Sequence, residues 1–192
     1  MCIQIEAEAE EMSMLSCAMG NPIVDFWWCN PNWQHNRKRL IDCGIGFRKD
    51  AFGGKNDKFS VVMDAGDDAM NPSHGMLHHD MIHTEPLWSH NNMLIQLKED
   101  LVINGFKKID GRGTNVHIGI HEFKRLRNTM VNTFCLNRKI NHGDGISISI
   151  ARHIWVDHCS MSNYDDGLVD GVNPSTYITI ANSYFTRHSF VH

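Results

Sequence analysis

None of the six cysteines, at positions 2, 17, 29, 43, 135 and 159, sits in a CxxC pair, and no cysteine spacing matches a structural zinc site. This spacing argues against metal binding through thiolates. No apolar run approaches the ~18 residues that a membrane span needs, which predicts a soluble chain without a membrane partner. A basic start followed by an apolar stretch is also missing: Glu6, Glu8, Glu10 and Glu11 crowd the first residues, so no signal peptide is visible. Cationic excess is lacking as well, with 18 Lys and Arg against 22 Asp and Glu and a net charge of −4, which argues against nucleic acid as a partner. The short basic clusters Arg37-Lys38-Arg39 and Lys124-Arg125-Leu126-Arg127 are expected to be solvated faces. There is no nucleophile elbow and no phosphate-binding glycine loop. Gly111-Arg112-Gly113 lacks the third glycine and the strand-to-helix setting of a dinucleotide site, and is expected to be a tight turn between coils.

What is present is one domain's worth of chain, 192 residues that are 42% apolar and 21% charged, within the globular range. The segment Ile154–Thr186 contains a repeat: Ile154-Trp155-Val156-Asp157-His158-Cys159-Ser160-Met161-Ser162 returns, apolar for apolar, as Ile178-Thr179-Ile180-Ala181-Asn182-Ser183-Tyr184-Phe185-Thr186 after 24 residues. Strand, polar turn and second strand recurring at that period predict a parallel β-helix, a solenoid winding about its own axis.

Organisation along the chain agrees. Residues 1–20 form an irregular leader, and 21–192 the solenoid domain. Asn30-Pro31-Asn32-Trp33 predicts a helix start with an N-cap and a first-turn proline, and Gly44 its end, placing one helix around residues 32–42. Residues 53–86 are loop-rich apart from a short strand at Phe59-Ser60-Val61-Val62. From Met93 onward, short Ile- and Val-rich runs alternate with Gly, Asn and Asp, and strands dominate. Residues 119–142 are the exception, expected to be a loop with at most one short strand.

Three carboxylates carry the chemistry. If residues 144–150 and 166–172 lie on neighbouring coils, stacking brings Asp144, Asp166 and Asp170 onto one outer face. Clustered oxygen ligands without sulfur or imidazole are what Ca2+ selects. The competing reading makes each Asp a turn residue that satisfies local amides. His74, His78, His79 and His83 form a dense set in which His79 and His83 have the i, i+4 spacing of helical metal ligands. No Glu stands where a hydrolytic zinc helix needs one, so these are expected to be surface or loop histidines. His158 is expected to hydrogen-bond within its coil. Cys29 and Cys43 flank the predicted helix, and spacing alone leaves their pairing open.

Asn36-Arg37-Lys38-Arg39-Leu40, Asp42-Cys43-Gly44-Ile45-Gly46-Phe47, Pro86-Leu87-Trp88, Ile109-Asp110-Gly111-Arg112-Gly113, Ile154-Trp155-Val156-Asp157-His158-Cys159 and Asp166-Gly167-Leu168-Val169-Asp170 together resemble the plant pectate lyases. This polysaccharide lyase family includes the ragweed and cedar pollen allergens. The resemblance implies an all-β, right-handed parallel β-helix, an extracellular cell-wall setting, and calcium-dependent β-elimination of polygalacturonate (pectin). It makes Asp144, Asp166 and Asp170 calcium ligands. The family's Asp-Gly-Asp stands here as His142-Gly143-Asp144, with an imidazole in place of one carboxylate. The catalytic arginine of the family's Arg-Met-Pro-Arg segment has no counterpart, so no catalytic residue is assigned. A substrate-binding lysine aligns with Phe190, Phe26 replaces a usual cysteine, and about one coil is missing between Ile118 and Ile120. The reading that follows is an incomplete β-helix, truncated at its C-terminus, with little lyase activity of its own and an open end prone to self-association. The alternatives are a non-catalytic module that binds uronates or cell-wall polymers, and a chain with no stable fold.

Overall fold

The computed structural model describes residues 30–56, 58–83, 87–90, 94–112, 117–119, 123–124, 130–137, 145–164, 167–172 and 174–187. Within them, short β-branched runs pair only in parallel, and the strands stack into three faces around one axis. The first face stacks β1 (Lys58–Val61), β2 (Leu87–His90), β5 (Lys107–Asp110), the first part of β8 (Met130–Asn137), the first part of β10 (Arg152–Ser162) and β12 (Thr176–Ala181). The second stacks β3 (Leu94–Gln96), β6 (His117–Gly119), the remainders of β8 and β10, and β13 (Tyr184–Thr186). The third stacks β4 (Leu101–Val102), β7 (Phe123–Lys124), β9 (Ile146–Ser149) and β11 (Val169–Val172). The expected parallel β-helix is the observed fold.

The sequence repeat is the coil register. Ile154 pairs with Ile178, Val156 with Ile180, and Met161 with Phe185, each 24 residues on. The corners repeat too. His153 and Tyr177 have φ of 59° and 58°, His158 and Asn182 51° and 50°, and Asn163 and Arg187 67° and 53°. A left-handed residue costs about 1–2 kcal/mol unless its side chain compensates, so its recurrence at fixed places marks where the chain must turn between faces. At His158 it also resets the alternation: Ile154 and Val156 enter the core before it, Cys159 and Met161 after it. Corners break the backbone ladder, and serines of the next coil repair it. The N–H of Cys159 donates to Ser183 Oγ at 3.2 Å, and that of Ala151 to Ser175 Oγ at 3.3 Å. The His153 and Tyr177 rings stack at 4.9 Å, 3° from parallel, which is the separation of adjacent strands.

The interior is a column of Ile, Leu, Val and Met contributed by all three faces, including Ile95, Ile109, Ile118, Ile146, Ile148 and Ile154. A second cluster lies outside it, where Trp33, Leu40, Ile41, Cys43 and Ala51 pack on Trp155 of β10.

Three local expectations are corrected. No α-helix covers residues 32–42. Turns over 31–36 lead into 3₁₀ segments at Arg37–Cys43 and Gly46–Asp50. Neither segment has a side-chain cap, and burying Leu40, Ile41 and Cys43 together against Trp155 favours the tighter helix, used in short pieces. Gly44 keeps an ordinary φ of −63°, and a Cβ there would crowd Ile41 O and Lys49 Cα, each at 3.1 Å. Within the segment read as loop, α1 (Leu77–Ile82) forms because Leu77 and Met81, one turn apart, insert into the core. It is too short to show a periodicity. Residues 119–142 hold β7 and the eight-residue β8, since stacking between β5 and β10 supplies the pairing that local propensity does not. The leader, residues 1–20, and Cys29 lie outside the described residues.

Candidate functional site

The third face positions the predicted carboxylates. In β9, Ile146 and Ile148 are buried and Ser147 and Ser149 alternate outward. β11 pairs beside it, with Val169 opposite Ile146 and Asp170 opposite Ser147. Val169 packs against the core, so the period of two turns Asp170 to the outer face, where it is half-buried. Pairing continues before the strands: Gly145 N–H donates to Gly167 O at 2.9 Å and Ile146 N–H to Leu168 O at 3.0 Å. Glycine is required at 145, because a Cβ there would lie 2.6 Å from Leu168 O and 3.2 Å from the Tyr164 ring. Asp144, Asp166 and His142 lie outside the described residues. Among the described residues, no three His, Cys, Asp or Glu side chains meet as a metal cluster.

Sequence reasoning missed a buried charge cluster on the first face. All four residues of β5, Lys107-Lys108-Ile109-Asp110, are buried. Arg112 folds back on Asp110 through two bonds, Nε to Oδ1 at 2.8 Å and Nη2 to Oδ2 at 2.5 Å, while Nη2 also donates to Arg37 O at 2.9 Å. Arg37 returns a bond from Nη1 to Arg112 O at 3.0 Å and lies 3.6 Å from Asp110 Oδ2. Both guanidinium groups face the Trp33 ring, at 4.9 and 5.8 Å from its centre, a cation–π arrangement. Arg37 is therefore not part of a solvated basic face, and the turn at Arg112 is a clamp between the 3₁₀ segment and β5. Burial raises the Asp110 carboxyl, but Lys108, Arg112 and Arg37 outweigh it and hold it well below the usual carboxylate range. Burial, and then Arg112, push the Lys108 ammonium well below its ordinary value. The alternation of Lys108, Ile109 and Asp110 was the one sequence signal for this cluster, since two charges sharing one strand face must find partners.

Asp157 sits beside it on β10. His158 Nδ1 donates to Asp157 Oδ2 at 2.8 Å, the within-coil bond expected of this histidine. Arg48 caps the Trp155 ring at 5.5 Å. His78, expected at the surface or in a loop, is buried in α1, with Nδ1 2.6 Å from Asp67 Oδ1.

No protein-family model matches the chain. "Probable pectate lyase 8" of Arabidopsis thaliana is 44% identical over 216 residues, covering 100% of this chain and 52% of the relative. The "Pectate lyase" of Zinnia elegans is 44% identical, covering 97% of this chain and 53% of the relative. The chain is homologous to the plant pectate lyases. Its fold matches the crystal structure of jun a 1, the major allergen from cedar pollen, with a TM-score of 0.79 at 32% identity, over 86% of this chain and 55% of that one. The chain spans about half the length of the curated relatives it matches. β6 pairs directly with β8, Ile118 opposite Leu136, since coils in a solenoid contact only their neighbours.

Proposed function

We propose that this chain binds polygalacturonate through calcium held by Asp144, Asp166 and Asp170, using the substrate chemistry of a pectate lyase in a cell-wall setting. The observation that carries this reading is the register of β9 and β11, which supports Asp170 standing beside the coil that bears Asp144, in a chain 44% identical to pectate lyases. The donor set fits the ion: carboxylate oxygens suit a hard cation, and the imidazole of His142 does not. Bound calcium would withdraw charge from a uronate carboxylate and acidify its C5 proton. Asp170 contributes a half-buried carboxylate on a rigid strand, and the Gly145–Gly167 ladder holds the two coils at one fixed spacing.

The second reading is a module that binds polyuronate without cleaving it. Calorimetry with calcium and polygalacturonate, alongside absorbance of unsaturated uronate ends, tests both. Calcium-dependent binding of polygalacturonate is the expected result, and the appearance or absence of new unsaturated ends separates the two readings. Calcium binding unchanged when Asp144, Asp166 and Asp170 are all converted to Asn would sink the site.

A further inference from the structure

Besides the carboxylates, α1 carries a second donor set. His79 and His83 stand one helical turn apart, their Nε2 atoms 3.2 Å from each other. Two nitrogens bound to one Zn2+ at its usual distances, near tetrahedral geometry, are about 3.3 Å apart. The other face of the His79 ring is already engaged: its Nδ1 lies 3.5 Å from Oδ1 of Asp80, a carboxylate buried at the core's edge. With its proton on Nδ1, facing Asp80, His79 turns the Nε2 lone pair toward His83, the orienting arrangement that metal-binding histidines use. His74 packs its ring edge-on against His79, with centroids 5.4 Å apart, and flanks the pair without joining it.

We propose that His79 and His83 form a two-nitrogen site for a borderline divalent transition metal, Zn2+, Ni2+ or Cu2+, with Asp80 as the positioning residue. Imidazole selects these ions over calcium, so the site is independent of the carboxylate face. Its coordination is open, with water completing it. Asp80 is buried against the protein and turned to His79, so the site binds metal without the activated-water base of a hydrolytic zinc helix. Binding would tie the end of α1 to the residue that leaves it.

The test is titration of tag-free protein with NiCl2 by calorimetry in millimolar calcium, together with the Cu2+ electron paramagnetic resonance spectrum of the unsubstituted chain. The expected results are one site that calcium does not displace, a copper spectrum with two nitrogen ligands, and at least tenfold weaker nickel binding in His79→Ala and in His83→Ala. Asp80→Asn should weaken binding by about 10–100-fold, and His35→Ala should leave it unchanged. Nickel affinity untouched by both His79→Ala and His83→Ala would overturn the proposal, showing that the 3.2 Å approach is only an imidazole–imidazole hydrogen bond. If the variants fail to fold, a copper spectrum with fewer than two nitrogens overturns it equally.

Discussion

Asn182 donates its Nδ2 to Oδ1 of Asp157 at 2.9 Å, joining two corners that stack one above the other. Asp157 Oδ2 accepts from His158, so the buried carboxylate is bonded along its own coil and across to the next. Asn182 does this from a left-handed φ of 50°, a conformation in which Asn is tolerated because its short polar side chain bonds locally.

Asn182→Ala should therefore lose both the donor and the conformational tolerance. A hydrogen bond to a charged group contributes about 1.5–3 kcal/mol, and the left-handed backbone adds about 1 kcal/mol for Ala over Gly. Asn182→Gly should recover that second part in urea denaturation. Equal destabilisation by both variants would show that the corner conformation costs nothing.

Asp110 predicts acid sensitivity. Its carboxyl is held below the ordinary range, against burial, by Lys108, Arg112 and Arg37. Its folded value thus lies below the unfolded value of about 3.9. The stability it contributes is complete above about pH 4 and is lost as the pH falls through the folded value. Asp110→Asn should flatten this acid limb of stability and, by leaving buried cations unpaired, cost about 3–5 kcal/mol at neutral pH. An unchanged acid limb in denaturation across a pH series would show that other groups control it.

Gly145→Ala should destabilise by about 1–3 kcal/mol, because its Cβ meets the backbone oxygen of Leu168, which is fixed by the coil ladder. Gly171→Ala is the matched control. Its Cβ would meet only Ile178 Cδ1, at an ordinary 3.7 Å, so a change within about 0.5 kcal/mol is expected. Calcium affinity should fall with Gly145→Ala if that ladder sets the spacing of the site.

His142→Asp should strengthen calcium binding in calorimetry by returning one carboxylate to the donor set. An unaltered calcium affinity would remove residue 142 from the site.

The solenoid was legible because its period is a local fact. Stacked coils place Ile154 over Ile178 and Met161 over Phe185, and like residues are kept where like environments recur, so the 24-residue echo and the family motifs carried both the architecture and the kinship. Segments that owe their structure to a neighbouring coil were not legible. β8 reads as loop because pairing with β5 and β10, and not its own alternation, makes it a strand. The segment 37–43 reads as a helix because nothing local announces that it must lie flat on Trp155.

The same division holds for the sites. Residue type and spacing alone nominated Asp144, Asp166 and Asp170 as hard-cation ligands and showed that no Arg-Met-Pro-Arg is present. Tertiary structure alone decided that Arg37, read as solvent-facing, is locked onto Arg112 across 75 residues of sequence, and that His79 and His83 meet nitrogen to nitrogen. Chemical identity and period are written along the chain, whereas burial, and the pairing that burial forces on charged groups, exist only once distant segments are packed together.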